Sequence, residues 1–299
     1  MTSSKNYSTQ IKPKSVWHEI RGVRYHVTEW GDRQYPLLFL LHGWGDCGAS
    51  FQFFVDRLEK NWFVVAPDWR GFGLSYFRCE SYWFPDYIAD LHTLLNIYEP
   101  SAPVNLLGHS MGANVATLYA GIFPDRVCRV INVEGFGLGD SDPTNAPDNY
   151  RRWIELSNNM PAYKVYKTYD ELADRIIKRN PAISYDRAIF VAQNWATQVQ
   201  DGSIVLRADP AHKLPNAVQY RRAEAEACWA AVTAPMLIVL GETTNFKEAF
   251  KALIGSNESR NAFDESRSVV ISGAGHMVHL EQPTKLATAT EKFLTQNQG

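Results

Sequence analysis

Residues 104–121 read VNLLGHSMGANVATLYAG. The run VNLL is typical of a strand buried on both faces, and ANVATLYAG is typical of a small-residue helix. Between them, Gly108-His109-Ser110-Met111-Gly112 fits the pattern G-x-S-x-G. In this context Ser110 is expected on a sharp strand-to-helix turn, where flanking glycines let the chains pass closely. Its hydroxyl would stand above a helix N-terminus, which favours developing negative charge. An ordinary Gly-rich turn is the alternative.

Short apolar runs on both sides of this stretch alternate with segments of helical spacing. Strands are predicted at Val16–Ile20, Val23–Trp30, Leu37–Leu41, Trp62–Ala66, Val104–Leu107, Val127–Val133, Met236–Leu240 and Ser268–Ile271. Helices are predicted at Phe51–Leu58, Pro85–Tyr98, Asn114–Ile122 and Thr284–Leu294. Strands that alternate with helices indicate βαβ units and a mostly parallel sheet.

The alternation stops between about Leu138 and Cys228. This stretch has no clear buried parallel strand, and helices are predicted at Tyr150–Asn158, Asp170–Lys178 and Ala223–Ala231. The simplest interpretation is a mostly helical insertion between two neighbouring strands of one sheet. We therefore predict a flexible tail over residues 1–14, a core domain from residues 15–137 and 229–299, and an insertion over residues 138–228.

The composition excludes several classes of protein. The 299 residues carry 30 Lys+Arg and 32 Asp+Glu, and 45% are apolar, so the chain is neither disordered nor a basic nucleic-acid binder. The N-terminus lacks the apolar run of a signal peptide, and no stretch approaches the roughly 20 apolar residues of a membrane span. Cys47, Cys79, Cys128 and Cys228 lack metal-ligand spacing, so free thiols in the cytoplasm are expected. The expected partner is a small-molecule substrate of a monomer or homodimer.

Four motifs together resemble those of the α/β-hydrolase-fold serine hydrolases. They are LHGWGD (Leu41–Asp46), PDWRGFGLS (Pro67–Ser75), LLGHSMGANVA (Leu106–Ala116) and SGAGHMVHLEQP (Ser272–Pro283). The chain resembles in particular the vertebrate serine-hydrolase-like proteins and bacterial esterases with an HGW segment. The resemblance implies an α/β fold in which a mostly parallel eight-stranded sheet is flanked by helices and carries an inserted, mostly helical cap.

The resemblance also implies roles for single residues. Ser110 would be the nucleophile, and His276, just past the last strand, would be the base in preference to His279. The backbone N–H groups of Trp44 and Met111 would form the oxyanion hole. The remaining motif residues His42, His109 and Asp46 are interpreted as structural.

The acid departs from the commonest pattern of the family. Most relatives have an Asp where residues 241–245, GETTN, place Thr244, and a threonine cannot hold a charge opposite an imidazolium. The preceding strand ends at Glu134, and a group of haloalkane dehalogenases has a carboxylate at that earlier position. We therefore expect Glu134 to be the orienting acid, with Glu242 as its rival. Alternatively, Glu134 is only a buried, hydrogen-bonded carboxylate.

These assignments predict acyl transfer from an ester to water, with no metal or organic cofactor. Dehalogenases and epoxide hydrolases of this fold need a carboxylate nucleophile, so Ser110 argues against both activities. Carbon–carbon bond hydrolases and acyltransferases use serine and stay open. A hydrolase-fold receptor that binds small ligands with little turnover is the alternative from another class.

Aromatic residues cluster between Trp44 and Tyr87, where 14 of 44 residues are aromatic. Several fall on loops that follow strands, which predicts an aromatic rim beside Ser110. The predicted rim comprises Trp44, Trp69, Phe72, Tyr76, Phe77, Trp83 and Phe84. The predicted substrate pocket is lined by Trp44, Trp69, Phe72, Phe136, Trp153 and Met277.

Overall fold

A computed structural model of the chain describes residues 7–75, 78–254, 263 and 267–296. Its strands are β1 (Lys14–Ile20), β2 (Val23–Trp30), β3 (Leu37–Leu41), β4 (Phe63–Pro67), β5 (Val104–His109), β6 (Val127–Val133), β7 (Ala196–Gln198), β8 (Ile204–Leu206), β9 (Met236–Gly241) and β10 (Ser268–Ile271). Its α-helices are α1 (Gln52–Val55), α2 (Phe84–Tyr98), α3 (Met111–Ile122), α4 (Ala146–Asn158), α5 (Tyr169–Arg179), α6 (Tyr185–Trp195), α7 (Arg222–Ala230), α8 (Lys247–Ile254), α9 (Val278–Glu281) and α10 (Pro283–Thr295).

Within the described ranges, eight strands form one sheet in the order β1-β2-β4-β3-β5-β6-β9-β10. The five pairs from β4-β3 to β9-β10 are parallel, whereas β2 runs antiparallel to both β1 and β4. The central strands β3 and β4 read LLFLL and FVVAP and are almost wholly buried, because helices cover both faces of the sheet. The predicted mostly parallel sheet is confirmed.

Apolar side chains form one core on each face of this sheet. On one face, Leu91 and Leu94 of α2 pack with Tyr119 of α3. On the other face, Phe54 of α1 packs with Leu286 of α10. Because these strands are parallel, their carboxyl ends meet at one edge of the sheet, and proteins of this architecture bind their ligands at that edge.

The helix predicted over Phe51–Leu58 is wrong in its extent. The chain forms a single 3₁₀ turn at Gly48–Phe51 followed by the short helix α1. Beyond Val55 the backbone continues in tighter turns, because Arg57 N–H donates to the Phe54 carbonyl and Leu58 N–H to the Val55 carbonyl. Such i→i+3 bonds cannot sustain a long helix.

The segment between β6 and β9 contains α4 to α7 and the antiparallel pair β7-β8. Helix α6 and the strands β7 and β8 were not among the predicted elements. The two strands were missed because three-residue strands carry little periodicity. Apolar residues of α5 and α6 form a third core together with Phe53 and Leu280 from outside the segment. The segment also forms an antiparallel bridge between Ala208 and Phe72, which follows β4.

The N-terminal residues from Tyr7 onward lie against the body of the protein. The Tyr7 hydroxyl donates to Oδ2 of Asp56 at 2.9 Å, and the N–H groups of Gln10 and Ile11 donate to Oδ1 at 3.1 and 2.8 Å. Of the flexible tail predicted over residues 1–14, residues 1–6 lie outside the described residues, Tyr7, Gln10 and Ile11 make these contacts, and Lys14 is the first residue of β1. None of the helices in the described ranges combines the length and apolar character that a bilayer crossing requires.

Candidate active site

Ser110 sits on a strained turn between β5 and α3. Its backbone has φ 52° and ψ −114°, and a positive φ is unfavourable for a residue other than glycine. The turn is held because Ser110 N–H donates to the Val133 carbonyl at 2.8 Å. A Cβ at Gly108 would lie 2.4 Å from the Gly112 carbonyl oxygen, and one at Gly112 would lie 2.1 Å from the Leu41 carbonyl oxygen. Both glycines of the motif are therefore required sterically.

The turn after β3 packs directly against Ser110. A Cβ at Gly43 would lie only 3.2 Å from the Ser110 Cβ. Asp46 N–H donates to the Gly43 carbonyl at 3.3 Å, and Gly45 has the positive φ of 75° that such a turn requires. Among the described residues, no acceptor takes the N–H of Trp44 or that of Met111, so both donors are available for an oxyanion.

His276 follows β10 and lies beside Glu134. Its Nδ1 is 3.3 Å from Glu134 Oε2, and about a third of its side chain, 32%, is exposed. Two contacts fix the loop: His109 Nε2–H donates to the His276 carbonyl at 2.9 Å, and Gly275 N–H donates to Glu281 Oε2 at 2.5 Å. Within the described part of the chain, His276 Nδ1 is paired with Glu134, and no hydrogen bond joins the His276 ring to the Ser110 hydroxyl.

Glu134 is a fully buried carboxylate whose two oxygens are satisfied. Its Oε1 accepts from Gly241 N–H at 2.6 Å, and its Oε2 accepts from the Thr244 hydroxyl at 2.5 Å. Asn132 braces the following turn, since its side chain donates to and accepts from the backbone of Gly135 at 2.8 and 2.9 Å. These bonds offset the cost of burying the charge.

The rival carboxylate, Glu242, points elsewhere. It is exposed, and its Oε2 accepts from Gly273 N–H at 2.9 Å. Of the two candidate acids, the structure brings Glu134 to His276. The structure also reveals a role for Thr244 that sequence reasoning missed. Thr244, which follows β9, donates a hydrogen bond to the Glu134 carboxylate, which follows the neighbouring strand β6.

A cluster of buried polar groups lies beneath the site. The rings of His109 and His279 are 4.5 Å apart, and His279 Nε2 lies 3.1 Å from Asp46 Oδ2. Burial, and then the nearby His279 and His276, hold the pKa of His109 well below its usual value, so its ring is neutral. Burial alone would raise the pKa of Asp46, but the hydrogen bond and charge of His279 lower it overall.

The ligand atoms of Asp46, His109 and His279 lie within 4.8 Å of one another, which invites comparison with a metal site. The Asp46 oxygens already accept hydrogen bonds from Cys47 N–H, Trp195 Nε1–H and His279. The Asp46 carboxylate is thus committed to hydrogen bonds, which a metal ion would have to displace.

Two predicted pocket residues are buried and do not line a surface. Trp69 and Phe72 have no accessible area. The Trp69 indole N–H donates to the His42 carbonyl at 2.9 Å, and the Phe72 ring stacks on His212 at 3.8 Å between centroids. The prediction that they line the pocket is wrong, because these polar and stacking partners draw both rings into the core.

The other residues of the predicted aromatic rim and pocket differ in how exposed they are to solvent. Trp44, on the turn after β3, is 53% exposed, and Trp83 is also exposed. Met277 and Trp153 are half-buried, Phe136 is buried, and Phe84 packs against Tyr87. Tyr76 and Phe77 lie outside the described residues. Sequence reasoning missed Phe246, whose ring is 5.0 Å from that of His276 and 6.4 Å from that of Phe136.

Known proteins with similar sequences are named as hydrolases. The chain is similar to the serine hydrolase-like protein of Danio rerio, at 26% identity over 98% of this chain and 90% of that protein. It is similar to the 2-(acetamidomethylene)succinate hydrolase of Mesorhizobium japonicum, at 26% identity over 92% of this chain and 93% of that protein.

Solved structures share the architecture. The thioesterase domain from the curacin biosynthetic pathway aligns with a TM-score of 0.81 at 20% identity, covering 94% of this chain and 99% of that one. An esterase from Mycobacterium tuberculosis aligns with a TM-score of 0.71 at 19% identity, covering 97% and 93%. At these identities the likeness shows the fold alone. The family described as alpha/beta hydrolase fold matches residues 36–283, and the chain therefore belongs to that family.

Proposed function

We propose that this hydrolase cleaves a carboxylic ester through an acyl-enzyme formed on Ser110. The observation that carries the proposal is the strained φ of 52° at Ser110, on the same sheet edge as the His276–Glu134 pair. A backbone held in this conformation exposes the serine oxygen to a substrate and points it away from the sheet. The names of the relatives support hydrolysis in general.

In the proposed mechanism, Ser110 Oγ attacks the ester carbonyl carbon while His276 Nε2 accepts its proton. Glu134 holds the His276 Nδ1–H and stabilises the imidazolium. The N–H groups of Trp44 and Met111 donate to the oxyanion. The intermediate collapses to the acyl-enzyme as His276 returns the proton to the leaving alcohol. A water molecule, deprotonated by His276, then attacks the acyl carbon and releases the acid.

We further propose a small apolar or aromatic substrate. The support is a set of apolar side chains near the proposed reacting groups. Trp44 is exposed on the turn after β3, Phe246 contacts His276, and the chain neighbours Met111 and Met277 are half-buried. We propose that residues 138–228 act as the cap over this region, supported by the packing of α5 and α6 against Phe53 and Leu280. Caps of this kind determine specificity.

The four cysteines, Cys47, Cys79, Cys128 and Cys228, are free. Unpaired thiols persist where glutathione and thioredoxin keep them reduced. They support our inference that the protein acts in the cytoplasm.

A fluorophosphonate probe and an ester panel test the proposed function. The probe should label wild-type protein at Ser110, and esters of increasing acyl length should reveal an apolar preference. Ser110→Ala should abolish both, whereas Ser101→Ala, an exposed serine that bonds to Glu99, should change neither. Turnover of a carbon–carbon bond substrate alone would assign that chemistry instead. A wild-type protein that binds ligands but resists labelling would be a receptor.

A further inference from the structure

Asp46 connects three parts of the chain at the base of the candidate site. Its Oδ1 accepts from Cys47 N–H at 2.8 Å and from the Trp195 indole N–H at 2.7 Å. Its Oδ2 lies 3.1 Å from Nε2 of His279, which must be the donor because a carboxylate only accepts. The Asp46 side chain is buried and Trp195 is half-buried, so these bonds lie in surroundings largely shielded from water.

Asp46 also closes the turn that presents the Trp44 N–H. Its own N–H donates to the Gly43 carbonyl at 3.3 Å, and Trp44 and Gly45 are the two residues enclosed by that bond. The backbone of this turn therefore cannot shift without moving the Asp46 carboxylate. Any contact that fixes the carboxylate also fixes the direction of the Trp44 N–H.

Trp195 reaches Asp46 from the segment between β6 and β9. It is the last residue of α6, and its carbonyl accepts from Arg207 N–H at 2.7 Å. Helix α6 belongs to the core that includes Phe53 and Leu280. The indole can therefore donate to Asp46 only while α6 is packed against the body of the protein.

We propose that Trp195 and His279 are positioning residues that set the oxyanion turn through Asp46. The inference rests on the proposed function, because it takes the Trp44 N–H as an oxyanion donor. Seating of α6 completes the oxyanion hole, so the placement of the segment over the site is coupled to transition-state stabilisation. His279, three residues after His276, ties the same carboxylate to the loop that carries the base.

The Trp195→Phe variant tests the coupling, because phenylalanine keeps an aromatic ring but loses the indole donor. Loss of an oxyanion donor costs about 10²–10³ in kcat, so displacing one should lower kcat for a reactive ester about tenfold, with KM changed less than about threefold. Trp62→Phe is the matched control: its indole donates to a buried carboxylate, Glu291 Oε1, at 3.0 Å. It should lose thermal stability and keep kcat within about twofold.

Hydrogen exchange gives a readout that does not depend on activity. In Trp195→Phe the amides of residues 43–50 should exchange at least about threefold faster than in wild type, and in Trp62→Phe they should not. Unchanged exchange in this peptide would overturn the inference whether or not the protein hydrolyses esters. Absent ester turnover together with faster exchange would leave the coupling intact and refute only the proposed function.

Two substitutions of Asp46 separate its hydrogen bonds from its charge. Asn keeps an oxygen that can accept from Trp195 and Cys47, so Asp46→Asn should retain several-fold more kcat than Asp46→Ala. If the two variants fold, as judged by circular dichroism, and lose kcat equally, the acceptor role that we assign to Asp46 is wrong. Phosphonate labelling rates should follow the same order as kcat.

Discussion

Two residues of the site, Ser110 and Glu134, hold positive backbone φ angles of 52° and 60°. Each follows a central strand of the sheet, and each is constrained on both sides, Ser110 by close glycine contacts and Glu134 by the Asn132–Gly135 bonds. Strain of this kind persists only where surrounding contacts over-determine the backbone. It directs both side chains to the edge where His276 lies.

At the residue scale, the identity of the acid is directly testable. Glu134→Gln removes the charge opposite His276, so kcat should fall by about 10²–10⁴-fold, as for other triads that lose their carboxylate. Glu242→Gln is the matched control, since its side-chain oxygen can still accept from Gly273 N–H. Steady-state kinetics on the best ester would measure both. Loss of activity in Glu242→Gln alone would reverse the assignment.

Thr244 carries a second prediction at this scale. Thr244→Val removes the hydroxyl that donates to Glu134 Oε2 and leaves that oxygen with fewer partners. Hydrogen bonds to charged groups contribute about 1.5–3 kcal/mol, so the free energy of unfolding should fall by about that amount, and kcat should fall several-fold. Thr243→Val should cost less, because Thr243 is exposed and donates to a neutral carbonyl, that of Ala274. Equal losses in the two variants would argue against a role for Thr244.

At the scale of elements, the backbones of α3 and α7 pack in close contact at Gly121. A Cβ at Gly121 would lie 1.8 Å from the Cys228 carbonyl oxygen of α7. Ser110 directly precedes this helix, so the packing of α3 holds the position of the candidate site. The glycine is required for the close approach of two backbones and not for a turn.

Gly121→Ala should therefore destabilise the protein although alanine favours helices. The gain in helix propensity is about 1 kcal/mol, whereas overpacking of this severity typically costs about 1–3 kcal/mol. We expect a net loss of up to about 2 kcal/mol in the free energy of unfolding, measured by urea titration. Gly139→Ala, where a Cβ would meet nothing within 4 Å, should stay within about 0.5 kcal/mol of wild type. A stable Gly121→Ala would mean that α7 can move.

At the scale of the whole molecule, residues after β4 are joined to residues after β8. His212 is stacked between Phe72 and Tyr82, at 3.8 and 3.6 Å between centroids. Gly73 N–H donates to the Arg207 carbonyl, and Asp209 N–H donates to the Gly71 carbonyl. These contacts join the segment between β6 and β9 to the loop that follows β4.

His212 should make this junction sensitive to acid. Burial lowers the pKa of His212 from 6.5 to about 4. Between these two pH values His212 binds a proton in the unfolded chain and stays neutral in the folded chain. Its contribution to stability is complete above about pH 6.5 and is lost as the pH falls to about 4, a loss of about 3 kcal/mol at most. His212→Phe keeps the stacking, so its unfolding free energy should depend less on pH across this window. An unchanged pH dependence would contradict the prediction.

The sequence by itself determined the features that depend on near neighbours in the chain. The order of apolar runs predicted the main strands, and Gly108 to Gly112 predicted the strained serine, because a close backbone approach permits only glycine at those positions. The extent of α1 and the existence of α6 could not be predicted from near neighbours in the chain. Their bounds depend on turns and packing that periodicity does not encode.

Tertiary structure decided which distant groups meet. Glu134 and His276 are 142 residues apart in sequence and are brought within 3.3 Å because their strands end at the same edge of a parallel sheet. Trp195 and Asp46 are 149 residues apart and meet through the packing of α6. Trp69 and Phe72 turned inward because His42 and His212 offered partners in the core. Local sequence specifies a residue's backbone, whereas long-range contacts specify what its side chain faces.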